Sequence, residues 1–152
     1  DHTTTAFPEV RLKQYLEMRG ADSGPWSRLC ALPALWAGIF YDQAALAAAW
    51  DLCKDWQVED HERLRADVAR LGLKAQVGGR SVQDVAKDMV AVAKQGLKNR
   101  NRLSAGMVDE TGYLSELEEI AHSGMTPAER LLDLYNGPWK GDVRRVFEDF
   151  AY

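Results

Sequence analysis

The run Arg11-Leu-Lys-Gln-Tyr-Leu-Glu-Met-Arg-Gly-Ala-Asp-Ser-Gly-Pro-Trp26 organises the chain around it. Counted from Val10, its residues alternate. Val10, Leu12, Leu16 and Met18 fall on one side with Gln14, while Arg11, Lys13, Tyr15, Glu17 and Arg19 fall on the other. Successive side chains of a β-strand point to opposite faces, so strict alternation predicts a half-buried strand. Gly20, Gly24 and Pro25 then end it. Its apolar face would lie on a core and its polar face would carry basic, phenolic and acidic groups in a row.

A polar strand face has an ordinary explanation, since antiparallel sheets often show one side to water. Two features single this one out. Glu17 and Arg19 are same-face neighbours just before a glycine-rich turn, and sites concentrate where strands give way to loops. A carboxylate beside a guanidinium also suits an anionic substrate carried with its metal, the carboxylate taking the cation and the guanidinium the anion.

Outward from this strand the chain is mainly helical. Trp26 to Tyr41 is apolar and interrupted by Pro33, which predicts one kinked or two short buried helices. Asp42 is placed to cap a helix over 43–56, with Leu46, Ala49, Trp50 and Cys53 on one face. A second helix is expected over about 59–71, Leu64, Val68 and Leu71 inward, ended by Gly72. Residues 75–80, with Gly78-Gly79, read as a loop; the lysine and hydroxyl residue of a phosphate-cradling loop do not follow.

Ser81 opens the longest helix, with Asp84 as a capping-box variant and a core stripe of Val82, Val85, Met89, Val92, Ala93 and Leu97. Lys94, Lys98, Arg100 and Arg102 make its end basic, as the helix dipole favours. A polar loop over 104–112 precedes a short helix over 113–122, on which Glu116, Glu118 and Glu119 form a carboxylate cluster whose ordinary reading is a solvated face. Thr126-Pro127-Ala128-Glu129 is a strong helix start; Leu131, Leu132, Leu134 and Tyr135 would pack that helix down. Trp139 reads as a packing anchor, and a last short helix is expected over 143–150.

The 152 residues suffice for one domain, are 46% hydrophobic and 28% charged, and carry a net charge of −4, which speaks against nonspecific nucleic-acid binding. No apolar run has bilayer-spanning length, and Asp1 is not a natural start, so the chain reads as a piece of something longer. Cys30 and Cys53 have no zinc-motif spacing, His2, His61 and His122 do not complete one, and both thiols read as buried and reduced. One amphipathic strand cannot satisfy its own backbone groups. It is expected to pair with strands outside the chain or with part of residues 1–9.

Tyr15-Leu-Glu-Met-Arg-Gly-Ala-Asp22 closely resembles the core motif of the glutamate–cysteine ligases of plants and many proteobacteria. The likeness continues through Gly24-Pro25-Trp26, Arg28-Leu-Cys-Ala-Leu-Pro-Ala34, Trp36 and Tyr41-Asp42. It resumes at Gly72-Leu-Lys74, Asp109-Glu-Thr111, Gly124-Met-Thr-Pro-Ala-Glu129 and Tyr135-Asn-Gly-Pro-Trp139, and closes on Val146-Phe147 to Ala151-Tyr152. It resembles only the C-terminal part of that family. Ser23, Ala75-Gln76-Val77 and Asp142 to Arg145 depart from the usual pattern, all outside the Glu17/Arg19 pair.

The resemblance implies an α+β fold: a mainly helical segment packed on one or a few strands of an antiparallel sheet, the C-terminal part of a glutamine-synthetase-like ligase fold. It implies ATP-dependent ligation of the glutamate γ-carboxyl, through an acyl phosphate, to cysteine, the first step of glutathione biosynthesis. Mg2+ and ATP are the implied cofactor and co-substrate, and glutamate, cysteine and the upstream part of the polypeptide are the implied partners. The setting would be cytoplasmic, or the plastid in a plant, where family members are redox-regulated through disulfides. Carried over residue by residue, Glu17 is a metal ligand, Arg19 a catalytic and substrate-binding residue, and Tyr15 a border of the substrate pocket. The other metal carboxylates of the family lie upstream, so the piece is expected to be inactive alone. Two rivals remain: a noncatalytic helical module that docks a partner, and a γ-glutamyl ligase for another amine.

Overall fold

A computed structural model describes residues 8–103, 106 and 109–151 of the chain. Two short strands, β1 (Val10–Leu12) and β2 (Leu16–Met18), come first. They are followed by α1 (Trp26–Phe40), α2 (Gln43–Cys53), α3 (Val58–Leu71), a second small hairpin of β3 (Gln76–Val77) and β4 (Arg80–Ser81), and α4 (Val82–Arg100). The chain closes with α5 (Ser115–Ser123), α6 (Pro127–Asn136) and α7 (Arg145–Asp149). The class is therefore mainly helical with small antiparallel sheets.

Long α4 is the axis of the body, with α1, α2 and α5 packed against it. Small residues make the closest approach. Gly38 of α1 and Gly96 of α4 are both buried. A Cβ on Gly96 would stand 1.9 Å from the Gly38 carbonyl oxygen, and one on Gly38 would stand 2.2 Å from that of Ala93. Helices touching backbone to backbone leave no room for a methyl group. Seven of the thirteen buried apolar side chains among the described residues are alanines, and Leu97 and Leu114 are the largest that are fully enclosed.

The caps follow the sequence closely. The Asp42 carboxylate accepts from the Ala45 amide at 2.8 Å, and the Ser81 hydroxyl from the Asp84 amide at 3.1 Å. The Ser81 hydroxyl also donates to the Asp84 carboxylate at 2.6 Å, so Asp84 does not turn back to the capping backbone as a full box would. Thr126 and Glu129 do form the reciprocal box. Trp139 is buried, donates its indole N–H to Asp149 at 2.8 Å and meets Phe150 edge-on, which ties the final turn down.

Several expectations are corrected. Residues 10–19 are not one strand but a hairpin, with Leu12 opposite Leu16 and Arg11 opposite Glu17. The turn over residues 13–15 lets the segment satisfy its own ladder, so pairing outside the chain is not what closes it here. Of the alternative partner, residues 1–9, residues 1–7 lie outside those described, but the Arg19 amide donates to the Glu9 carbonyl at 2.8 Å. Nor do the helices pack on these strands as a layer. They pack on one another, and a nameable tie from the hairpin to the body is the Glu9–Arg65 ion pair to α3 at 3.2 Å.

Pro33 does not divide α1, because Ala31, Ala34, Gly38 and Ile39 are buried on either side of it and packing carries the helix across. On α2 the buried positions are Ala45 and Ala49, while Trp50 is largely exposed, so that helix presents its small residues inward, and it ends at Cys53 rather than Trp56. Smaller differences concern loops. Residues 75–80 contain a β-hairpin turned by Gly78 and Gly79 at φ of 56° and 75°, which only glycine adopts readily. Leu132 and Tyr135 of α6 remain exposed. The expected loop over 104–112 lies partly outside the described residues.

Candidate functional site

The β1–β2 hairpin carries all three residues singled out by the sequence. Antiparallel register makes Arg11 and Glu17 a directly opposed pair, whose side chains share a face about 5 Å apart at Cβ. The Arg11 Nε donates to Glu17 Oε2 at 2.7 Å. Arg11 and Glu17 are only 33% and 30% exposed at their side chains.

The Arg11 hydrogen bond holds the Glu17 carboxyl below its ordinary range; partial desolvation works against it, and the charges of Arg11, Lys13 and Arg19 reinforce the lowering. The carboxylate stays charged, while Arg11, Lys13 and Arg19 around it favour an anionic ligand. Tyr15 leaves the strand. It sits in the turn, 60% exposed, with the Lys13 ammonium 6.0 Å from its ring centre. The structure thus places Arg19 directly after β2, its charge felt by Glu17, and sets Tyr15 at the tip.

Glu17 suits a hard cation as one oxygen donor. Magnesium retains several waters and takes only one or two carboxylates beside substrate phosphates. Among the described residues no group of three or more His, Cys, Asp or Glu side chains is placed to hold a metal, so Glu17 fits as a contributed ligand and not as a complete site.

The carboxylate cluster on α5 is dispersed into ion pairs. Glu116 lies 3.0 Å from Arg28 of α1, Glu118 2.6 Å from Lys94 of α4, and Glu119 3.3 Å from Arg130 of α6. Three neighbouring carboxylates on one helix thus fasten it to three different helices. Arg100 of the basic end of α4 stacks its guanidinium 5.3 Å from the Tyr41 ring centre and lies 3.8 Å from Glu110. The solvated reading of the α5 cluster is corrected: Glu116 and Glu118 are half-buried in ion pairs between helices, and of the three only Glu119 is exposed.

A concavity of about 630 Å³ lies elsewhere, between the start of α1, α5, α6 and the C-terminal turn. Ile120, Met125, Leu131, Val146 and Phe150 line it, with Arg28–Glu116 and Arg130–Glu119 at its polar edge. None of Tyr15, Glu17 and Arg19 borders it. Cys30 and Cys53 are half-buried free thiols.

Sequence reasoning missed Arg11 as the partner of Glu17. The available signal was symmetric placement of residues 11 and 17 about Gln14, which pairs them only once the segment is seen as a hairpin. It also missed Gly96, whose role depends on a helix crossing that no local pattern reports.

The profile of glutamate-cysteine ligase family 2 matches residues 1–149. Glutamate–cysteine ligase, chloroplastic, of Nicotiana tabacum is 50% identical over all 152 residues, which cover 28% of that protein. The corresponding proteins of Solanum lycopersicum and Arabidopsis thaliana are 49% and 48% identical over the same span, each covered to 28%. The chain therefore spans under a third of the length of these relatives.

Proposed function

The chain belongs to glutamate-cysteine ligase family 2, and from that membership we propose that it is the C-terminal part of an ATP-dependent ligase joining the γ-carboxyl of glutamate to the amine of cysteine. ATP phosphorylates the glutamate γ-carboxylate, the cysteine amine displaces phosphate from the resulting acyl phosphate, and γ-glutamylcysteine, ADP and phosphate leave. This is the first step of glutathione synthesis. The whole protein then completes a curved antiparallel sheet of the glutamine-synthetase-like kind, with residues 1–152 forming one segment of a larger catalytic domain. The names of the relatives say chloroplastic, which supports a plastid setting for the same reaction.

One observation carries the assignment of residues: Glu17 stands half-buried on the hairpin, its carboxylate held charged by the Arg11 hydrogen bond with the Arg19 charge near enough to reinforce it. Bound Mg2+ would screen the triphosphate and the charge that develops on the transferring phosphoryl group. Glu17 supplies one oxygen ligand to that ion. Arg19 supplies a fixed positive charge to the phosphoryl group or a substrate carboxylate, a contribution that grows as charge develops. Tyr15, at the hairpin tip, borders the substrate.

The test is ADP release by the full-length protein with glutamate, Mg·ATP and cysteine. Glu17→Ala and Arg19→Ala should each lower turnover about a hundred- to a thousandfold, the range typical of removing one preorganised electrostatic group. Turnover unchanged in variants that still fold would return the hairpin to an ordinary polar surface. ADP release that does not depend on cysteine would assign another amine.

A further inference from the structure

We propose that Arg11 is a positioning residue: across the hairpin it fixes the Glu17 carboxylate through one oxygen and thereby presents the side chain to a cation. This rests on the proposal that Glu17 is a cation ligand.

Four observations support it. Arg11 and Glu17 are opposed in register, so the backbone ladder itself sets their separation. The hydrogen bond runs from Nε to Oε2 at 2.7 Å, a charge-assisted bond at the short end of its range. It spans a turn of only three residues, closed by Leu12 opposite Leu16 and by the Lys13 amide donating to the Tyr15 carbonyl at 2.9 Å, so the two strands hold one geometry. Beyond the pair, the Arg19 amide donates to the Glu9 carbonyl at 2.8 Å, so Glu17 is braced on both sides along the strands.

A long carboxylate side chain loses substantial rotamer freedom when it is ordered. Where a neighbour has already ordered it, a cation meets an oriented oxygen, and such supporting hydrogen bonds change metal affinity by about 10- to 100-fold when removed. The competing role for Arg11 is as a surface ion pair that only holds the hairpin closed. That role predicts a loss of stability and no specific change in cation binding.

The experiment uses the full-length protein with Mn2+ as the probe in the presence of a nonhydrolysable ATP analogue, bound Mn2+ being read by electron paramagnetic resonance. Arg11→Ala should weaken Mn2+ binding about tenfold, and Arg11→Lys should recover part of the loss, since an ammonium reaches the carboxylate without the planar fork. In Glu17→Gln the further change Arg11→Ala should add nothing, because the residue it positions is no longer a carboxylate. Thermal unfolding of each variant is measured alongside. Equal loss of stability in Arg11→Ala and Glu17→Gln, with Mn2+ affinity altered only in Glu17→Gln, overturns the positioning role and leaves Glu17 as a ligand. Tighter Mn2+ binding in Arg11→Ala also overturns it, making Arg11 a competitor of the cation. Mn2+ binding indifferent to Glu17→Gln overturns the underlying site assignment and the role of Arg11 with it.

Discussion

The α1–α4 crossing and the β1–β2 hairpin bury opposite kinds of residue. At the crossing, glycine and alanine bring two backbones into contact and nothing polar intervenes. On the hairpin, the apolar side chains are the more exposed ones: Leu12 is 79% and Leu16 55% accessible, whereas the ion pair on the other face is two-thirds covered. An alternating pattern reports which residues share a face, but what covers that face is decided elsewhere. At the crossing both faces belong to this chain. On the hairpin the apolar face has no cover among the described residues, and a large exposed apolar surface marks a place for another segment or partner.

The crossing offers the sharpest way to test that contrast. Gly96→Val should destabilise the protein by roughly 3 kcal/mol or more, read as a lowered urea midpoint, because the added carbons collide with a backbone carbonyl that cannot swing aside. On an open helix face the same change would be mild or favourable, since glycine is a poor helix residue. A neutral result would mean that the helices do not meet as closely as they do here.

Thr126→Ala comes next. It removes the cap of α6 and one half of a reciprocal box, and should cost about 1–2 kcal/mol. Glu129, the other half, gives the box a pH signature. The Thr126 amide, then its hydroxyl and Lys74, lower the Glu129 carboxyl from its ordinary 4.5 to about 2. A carboxyl depressed in the folded state adds stability that is complete above its unfolded value and fades as the pH falls through the folded one. The stability difference between wild type and Glu129→Gln should therefore shrink as the pH drops from 4.5 towards 2. A difference constant across that window would exclude the box as its source.

Arg130→Ala, which breaks the Glu119 pair on the rim of the groove, should change stability by about 0.2–1 kcal/mol, as exposed pairs do. Leu12→Thr is the smallest change expected from these residues alone, within about 0.5 kcal/mol for so exposed a side chain. In the full-length protein a loss of about 2 kcal/mol or more at Leu12 would show that another segment covers this face.

The sequence was legible where structure is local. Asp42, Ser81 and Thr126 cap helices because a hydroxyl or carboxylate reaches an amide three residues on, and Gly72 follows the end of α3. The nearness of Arg19 to Glu17 follows from their spacing along the chain whether residues 10–19 are one strand or two. The hairpin itself was not legible, because Lys13-Gln14-Tyr15 lacks the glycine or asparagine that usually announces a tight turn. The α2 face was misjudged because leucine and tryptophan suggest burial, while the neighbouring helix admits only alanine.

Family membership, the helical content, the caps and the Glu17/Arg19 pair were thus properties of the sequence, each resting on neighbours within a few residues or on long uncommon motifs. Only the tertiary structure decided that Arg11 faces Glu17, that Glu116, Glu118 and Glu119 bind three different helices, and that Gly38 and Gly96 set the distance between α1 and α4. These are distances between residues far apart or doubled back in the chain. Packing and charge pairing choose among partners through space, and a pattern read along one dimension does not carry that choice.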